Sequence, residues 1–238
     1  LEQARLEGIN ITADIYPYTM WNSTPRVLFP KKDFENLSSA EFATQELFDP
    51  SASFMVRYSP NRAWEGKTVT EIADINNESP AEGLLRIIRE TSRPDESGTI
   101  VAKSMSEEDI SNFMKWPYTS ICTDGTMRGH PRGHGSFPRV MGIYVREQKL
   151  MPLETAIQKM TSLAAENSGI TERGLIAPGY YADLVLFDPD TIVDNATVEN
   201  PKALSTGINY VWVNGKLVYQ DQKAIPNFSG TFVKRGNF

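Results

Sequence analysis

Histidine and cysteine are nearly absent from this chain: its 238 residues hold two of the first and one of the second. A lone cysteine excludes an internal disulfide framework. Two histidines and one cysteine are also too few for a self-contained zinc site, which needs three or four convergent ligands. No apolar run approaches membrane-spanning length, and no basic run occurs, so neither a membrane nor a nucleic acid is an expected partner. The phosphate-binding G-x-x-x-x-G-K-[ST] loop and the G-x-S-x-G elbow of serine hydrolases are missing too. There is no initiator Met and no signal peptide. The chain opens in mid-pattern with LEQARLEG, which reads as the tail of a helix ending at Gly8, so Leu1 is not expected to be the natural start.

What is present is ample for folding. The chain is 40% hydrophobic, enough for a sizeable core in one large or two smaller domains, and its net charge is −6. Alternating Ile9, Ile11, Ala13 and Ile15 predict a strand that leaves through the rigid Tyr16-Pro17-Tyr18 into a polar loop through Trp21, Asn22, Ser23 and Thr24. Within it, Asp14 is expected to make a structural hydrogen bond. Ser38-x-x-Glu41, Thr68-x-x-Glu71 and Ser79-x-x-Glu82 resemble capping boxes and so predict three helix starts, with Pro80 at the first position of the third. Ser53 to Tyr58 and Gly98 to Ser104 read as strands, and a helix from Ser106 stops before Pro117. Trp21, Tyr58 and Trp64 are expected to pack rather than bind ligand. Two helices follow, Phe137 to Glu147 and Pro152 to Ala165. This alternation predicts a parallel α/β sheet. Beyond Glu172 the texture turns to β: Ala182 to Phe187 is a strand, and INYVWVNGKLVY is a hairpin turning at Asn214-Gly215, with Phe232 and Val233 as a last strand.

The chemistry concentrates between Tyr118 and Gly142, which hold both histidines, the cysteine, an isolated Asp124 and three arginines. Tyr118 to Thr123 reads as a strand, Asp124-Gly125 ends it, and Pro138 is placed to start a helix. A carboxylate at the carboxyl end of a buried strand is where α/β folds keep their chemistry. The residues alone leave two readings open: Asp124 as a turn cap with solvated arginines, or Asp124 as an acid/base with Arg132 and Arg139 as forks for a carboxylate. Serine or thiol mechanisms through Ser120, Ser136 or Cys122 are weak, because no elbow exists and Cys122 sits inside a strand. His130 and His134 are four apart, but Pro131 and Gly133 forbid a shared helical face.

Thr123-Asp124-Gly125, His130-Pro131-Arg132 and Gly135-Ser136-Phe137-Pro138-Arg139-Val140-Met141-Gly142 together resemble the signature of the D-aminoacylases, the N-acyl-D-amino-acid deacylases of the amidohydrolase superfamily. The likeness continues through Tyr144 to Glu147, Leu153 to Thr161, Ala182-Asp183-Leu184-Val185 and Val213-Asn214-Gly215, and includes Thr12-Ala13-Asp14-x-Tyr16-Pro17-Tyr18. It implies an α/β fold: the C-terminal part of a TIM-like (β/α) barrel over 1–172, with a variable insertion at about 25–97, followed by a small β-sandwich portion over 173–238. It implies hydrolysis of a small-molecule N-acyl-D-amino acid with zinc as cofactor of the full-length protein. By the same resemblance Asp124 is the catalytic proton carrier and a weak metal ligand, Arg132 grips the substrate carboxylate, and Tyr16, Ser23 and Met105 are substrate-binding positions. Ala102 stands where the family often has a pocket tyrosine, and the loop from Asp124 to Arg132 is shorter than usual, so the preferred acyl group stays open. The family's remaining metal ligands precede the strand at Ile9 and are expected upstream of Leu1. A cyclic-amide hydrolase of the hydantoinase or dihydroorotase kind, and a non-catalytic amidohydrolase-like scaffold, are the alternatives.

It follows that the purified 238-residue chain alone takes up no stoichiometric zinc when measured by elemental analysis after dialysis; one tightly held zinc per chain overturns the ligand assignment.

Overall fold

The computed structural model describes residues 1–125 and 129–236, so Met127 and Arg128 of the central loop lie outside the described residues. In chain order come helix α1 (Glu2–Leu6), strands β1 (Ala13–Ile15) and β2 (Met20–Ser23), helix α2 (Leu37–Phe42), strand β3 (Asp49–Tyr58) and helices α3 (Val69–Ile75) and α4 (Pro80–Thr91). Then follow β4 (Gly98–Lys103), α5 (Glu107–Lys115), β5 (Thr119–Ile121), α6 (Arg132–Arg139), α7 (Leu153–Met160) and α8 (Ser162–Ser168). Strands β6 (Leu184–Phe187), β7 (Ile208–Val213), β8 (Lys216–Gln220) and β9 (Lys223–Ala224) complete a mixed α/β chain. Contacts divide it into two compact units, one of residues 1–17 and 107–238, the other of residues 18–106.

In the first unit β1 and β5 pair in parallel, Asp14 opposite Ser120 and Ile15 opposite Ile121. Strand alternation sends Ile15 and Ile121 to one side, where they pack with Ile110, Met114, Val140 and Tyr144. Asp14 and Ser120 hold the other side, where the Ser120 hydroxyl donates to the Asp14 carboxylate as the structural role of Asp14 requires. The strand expected from Ile9 is only three residues long, because β5 offers a partner only there; Ile9 is exposed. Strands β6 to β9 form an antiparallel sheet in sequence order. Its hairpin turns at Asn214 (φ 49°) and Gly215 (φ 75°), the left-handed pair that a type I′ turn needs.

Helix α6 departs from expectation. It begins at Arg132, and Pro138 lies inside it rather than at its start. Proline has no N–H to offer the carbonyl four residues back, which belongs to His134. The buried Ser205 hydroxyl donates to that carbonyl at 3.4 Å instead. Past Pro138 the backbone widens into a π-helix over Val140–Glu147. The single helix expected from Pro152 to Ala165 breaks at Thr161 into α7 and α8. Phe232 and Val233 form no strand; Phe232 is exposed, and β9 is the last strand among the described residues.

The second unit is an antiparallel sheet in the order β2-β4-β3. Its core gathers Phe29, Met55, Tyr58, Leu84, Ile87, Ile88 and Ile100, with Trp21 and Trp64 packed against it. Tyr58 and Trp64 stack 5.3 Å apart, the packing role expected of them. Both anticipated boxes at Thr68/Glu71 and Ser79/Glu82 close, each hydroxyl taking the N3 amide while the glutamate returns to the cap amide. At α2 the cap is Asn36, whose side chain accepts from Ser38 and Ser39, and not the Ser38/Glu41 pair. Strand β2 occupies what the sequence reads as a polar loop, because β4 supplies its whole ladder from Ile100 to Lys103.

Helices α3 and α4 touch at Gly83, where an added Cβ would stand 2.7 Å from the Ala73 Cβ and 3.1 Å from its Cα. Gly83→Ala therefore sets a helix-propensity gain of about 1 kcal/mol against an overpacking cost of about 1–3 kcal/mol. Neither opposing atom is a flexible end that can yield, so the expected outcome is a net loss of stability in urea unfolding. A rise in the midpoint would contradict this contact.

Candidate functional site

The end of β1 and the loop after β5 bring three of the anticipated residues together. Asp124 leaves β5 with φ 41°, a left-handed backbone uncommon outside glycine and held here at the strand exit. Its carboxylate, 63% exposed, meets the guanidinium of Arg132, 4% exposed: Arg132 Nη2 lies 2.8 Å from Asp124 Oδ2. Tyr16, immediately after β1, lies under that guanidinium, with Arg132 Cζ 4.7 Å from the ring centroid. A planar, delocalised cation suits such a stacked position better than an ammonium does. The buried Arg132 Nε has no hydrogen-bond partner among the described residues, so part of the fork's donor capacity is unspent.

Electrostatically the cluster is coupled. Burial, first, and the Asp124 and Cys122 charges push the Tyr16 phenol above its ordinary value, while Arg132 pulls it down. The Cys122 thiol is likewise pushed up by burial and by Asp14 and Asp124, which disfavours the nucleophilic thiolate.

Arg139, the second half of the anticipated fork, does not join Arg132. Its Nε donates to the Pro17 carbonyl at 2.7 Å, and its Nη2 lies 3.7 Å from Glu107. Glu107 in turn accepts from the Tyr144 hydroxyl at 2.6 Å. This chain of contacts fixes the exit of β1 directly after Tyr16. Ser23 and Met105 belong to the second unit. Ser23 ends β2 opposite Ile100, and the Met105 amide donates to the Thr19 carbonyl at 3.1 Å.

His130, which lies between the turn at Asp124-Gly125 and the helix expected from Phe137, is 1% exposed. Its Nδ1 accepts the Arg132 amide at 3.1 Å. Its ring meets that of Tyr16 edge-on, centroids 6.1 Å apart at 73°. Only the H-P-R spacing could have pointed to it, since a histidine two residues ahead of a helix start is within reach of the first amides.

For a metal the donor set fails. Among the described residues no three His, Cys, Asp or Glu side chains come together. Asp124 is engaged by a cation, and burial disfavours the thiolate form in which Cys122 would bind a metal. The arrangement places an exposed carboxylate beside a buried, ring-stacked guanidinium.

Residues 116–219 match the amidohydrolase family. Over 122 residues the chain is 47% identical to the N-acyl-D-aspartate deacylase of Alcaligenes xylosoxydans xylosoxydans, across 50% of this chain and 24% of that protein. A crystal structure of D-aminoacylase matches with a TM-score of 0.81 and 31% identity, covering 98% of this chain and 44% of that one. An N-acyl-D-glutamate deacylase from Bordetella bronchiseptica, complexed with zinc and a phosphonate inhibitor, matches with a TM-score of 0.73 and 31% identity, over 92% and 41%. The chain thus spans less than half the length of each.

The coupling gives a signed test. In a spectrophotometric titration of the phenolate band, corrected with Tyr16→Phe, Asp124→Asn lowers the Tyr16 pKa and Arg132→Gln raises it further. Because the folded value already exceeds the unfolded one, the neutral phenol stabilises the fold below the unfolded pKa. That contribution is lost as pH rises through the folded value. Identical titration in both variants would show that Tyr16 does not sense the pair.

Proposed function

We propose that this chain, whose residues 116–219 match the amidohydrolase family and which is similar to D-aminoacylase over nearly its whole length, is part of a protein that hydrolyses the amide bond of N-acyl-D-amino acids to a D-amino acid and a carboxylate. The observation that carries this reading is the buried Arg132 guanidinium engaging a carboxylate, Asp124, at a strand exit. A linear N-acyl amino acid keeps a free carboxylate, which a planar fork with an unspent Nε can hold; a hydantoin ring has no free carboxylate to offer it.

In this reading Arg132 anchors the substrate carboxylate and so fixes where the scissile amide lies. Asp124, on the open side of the pair, takes a proton from the attacking water and returns it to the leaving amine. A single positioned carboxylate serves as base and then acid. Tyr16 supports the guanidinium and borders the substrate, and Ser23 and Met105 are further substrate contacts by family resemblance. Zinc is the proposed cofactor of the whole protein, supplying the polarisation that activates water. Because the residues present do not assemble a zinc site, its ligands are proposed to lie outside them.

The proposed architecture follows the same lines. Residues 1–172 form part of a (β/α) barrel with a variable insertion at about 25–97, and residues 173–238 contribute to a small β-sandwich. Two features support this. The parallel pair β1 and β5 has one face packed on helices and one polar face. On β6, Val185 is 54% and Leu186 51% exposed, consecutive residues on opposite faces of a sheet with apolar surface to cover.

The experiment is an assay of the zinc-loaded whole protein against N-acetyl-D- and N-acetyl-L-amino acids, with Asp124→Ala beside it. D-selective release of acetate is expected, with kcat down by about 10²–10⁴-fold in the variant. Undiminished activity in Asp124→Ala would remove Asp124 from the mechanism.

A further inference from the structure

His130 sits at the centre of the site without a part in the chemistry just described. It is 1% exposed, in a position where a polar ring needs a reason to be buried. Its neighbours supply one. Helix α6 starts at Arg132, and the first amides of a helix have no intrahelical acceptor. The residue at the cap position is Pro131, which makes no side-chain cap bond. His130 fills that role from one position earlier: its Nδ1 accepts the Arg132 amide at 3.1 Å, a bond that only an unprotonated Nδ1 can make.

The same ring also reaches the other end of Arg132. It packs edge-on against Tyr16 at 6.1 Å and 73°, and Tyr16 is the platform beneath the guanidinium, 4.7 Å from Cζ. His130 thus holds Arg132 twice, by its backbone and, through Tyr16, by its charged head. An arginine side chain has many rotamers to lose, and a carboxylate fork works only in one plane.

We propose that His130 is a positioning residue that orients Arg132 and Tyr16 for a substrate's free carboxylate. This rests on the reading of Arg132 as the carboxylate anchor. It predicts a penalty that depends on that carboxylate, which a merely structural histidine does not.

The test uses the zinc-loaded whole protein with an N-acetyl-D-amino acid and with the corresponding α-carboxamide, whose carboxylate is capped. His130→Leu keeps bulk and loses the acceptor; His130→Asn places an amide oxygen within reach of the same N–H. For the free acid, KM is expected to rise about tenfold in His130→Leu with a smaller change in kcat, the upper end of what one lost uncharged hydrogen bond contributes. For the carboxamide, kcat/KM stays within about twofold, and His130→Asn recovers most of the free-acid loss. If His130→Leu does not fold, His130→Gln, whose amide stands one methylene further out, takes its place with the same expectation. Equal losses on both substrates, an unchanged KM, or no recovery in His130→Asn would overturn the proposal. Arg132→Lys separates the two layers. A normal free-acid KM in that variant refutes the anchor itself, whereas a raised KM there with a normal one in His130→Leu refutes only the role of His130.

Discussion

A guanidinium that is 4% exposed, tied to a carboxylate that is 63% exposed, is the interaction the first unit is built around. Taking an arginine head out of water costs several kcal/mol, and a single carboxylate at 2.8 Å offsets that only with help. Help comes from the Tyr16 ring below the guanidinium and from the His130 contact to its backbone. The arrangement is asymmetric in a useful way. The cation is fixed and shielded, while the anion that meets it stands at the surface on a left-handed backbone.

Much of the surrounding structure serves to hold that cluster in register. Tyr16 is placed by β1, and the strand's exit is pinned where Arg139 donates to the Pro17 carbonyl. Arg139 is steadied by Glu107, and Glu107 by the buried Tyr144, so the start of α5 and the π-helix are tied to the same point. Pro138 interrupts the helical ladder between Arg132 and this network, and the Ser205 hydroxyl takes over the carbonyl left open. The two-arginine fork is therefore divided: Arg132 meets Asp124, and Arg139 supports the exit of the strand before Tyr16.

Elements with a strictly local cause could be read directly. The Asn214-Gly215 turn and the boxes at Thr68 and Ser79 form because two or four neighbouring residues satisfy each other wherever the chain lies. Elements with a distant cause could not. β2 exists because β4 pairs with it, and β1 is short because β5 is. Asn36 outcompeted Ser38 as a cap because it stood one residue before the first helical turn, a difference no periodicity resolves. Asp124 and Arg132 were legible through a shared motif, whereas the burial of His130 was not, since its partners Tyr16 and Arg132 lie on different segments.

By itself, then, the sequence determined the mixed α/β order of elements, the amidohydrolase signature from Thr123 to Gly142 and the scarcity of metal ligands. Each of these is a property of composition or of adjacent residues. Only the tertiary structure decided that Tyr16 lies beneath Arg132, that Asp124 closes on it at 2.8 Å and that His130 caps the helix start. Those contacts join residues up to 116 positions apart, Tyr16 to Arg132 (132 − 16), and they exist because β1 and β5 pair in parallel and end side by side.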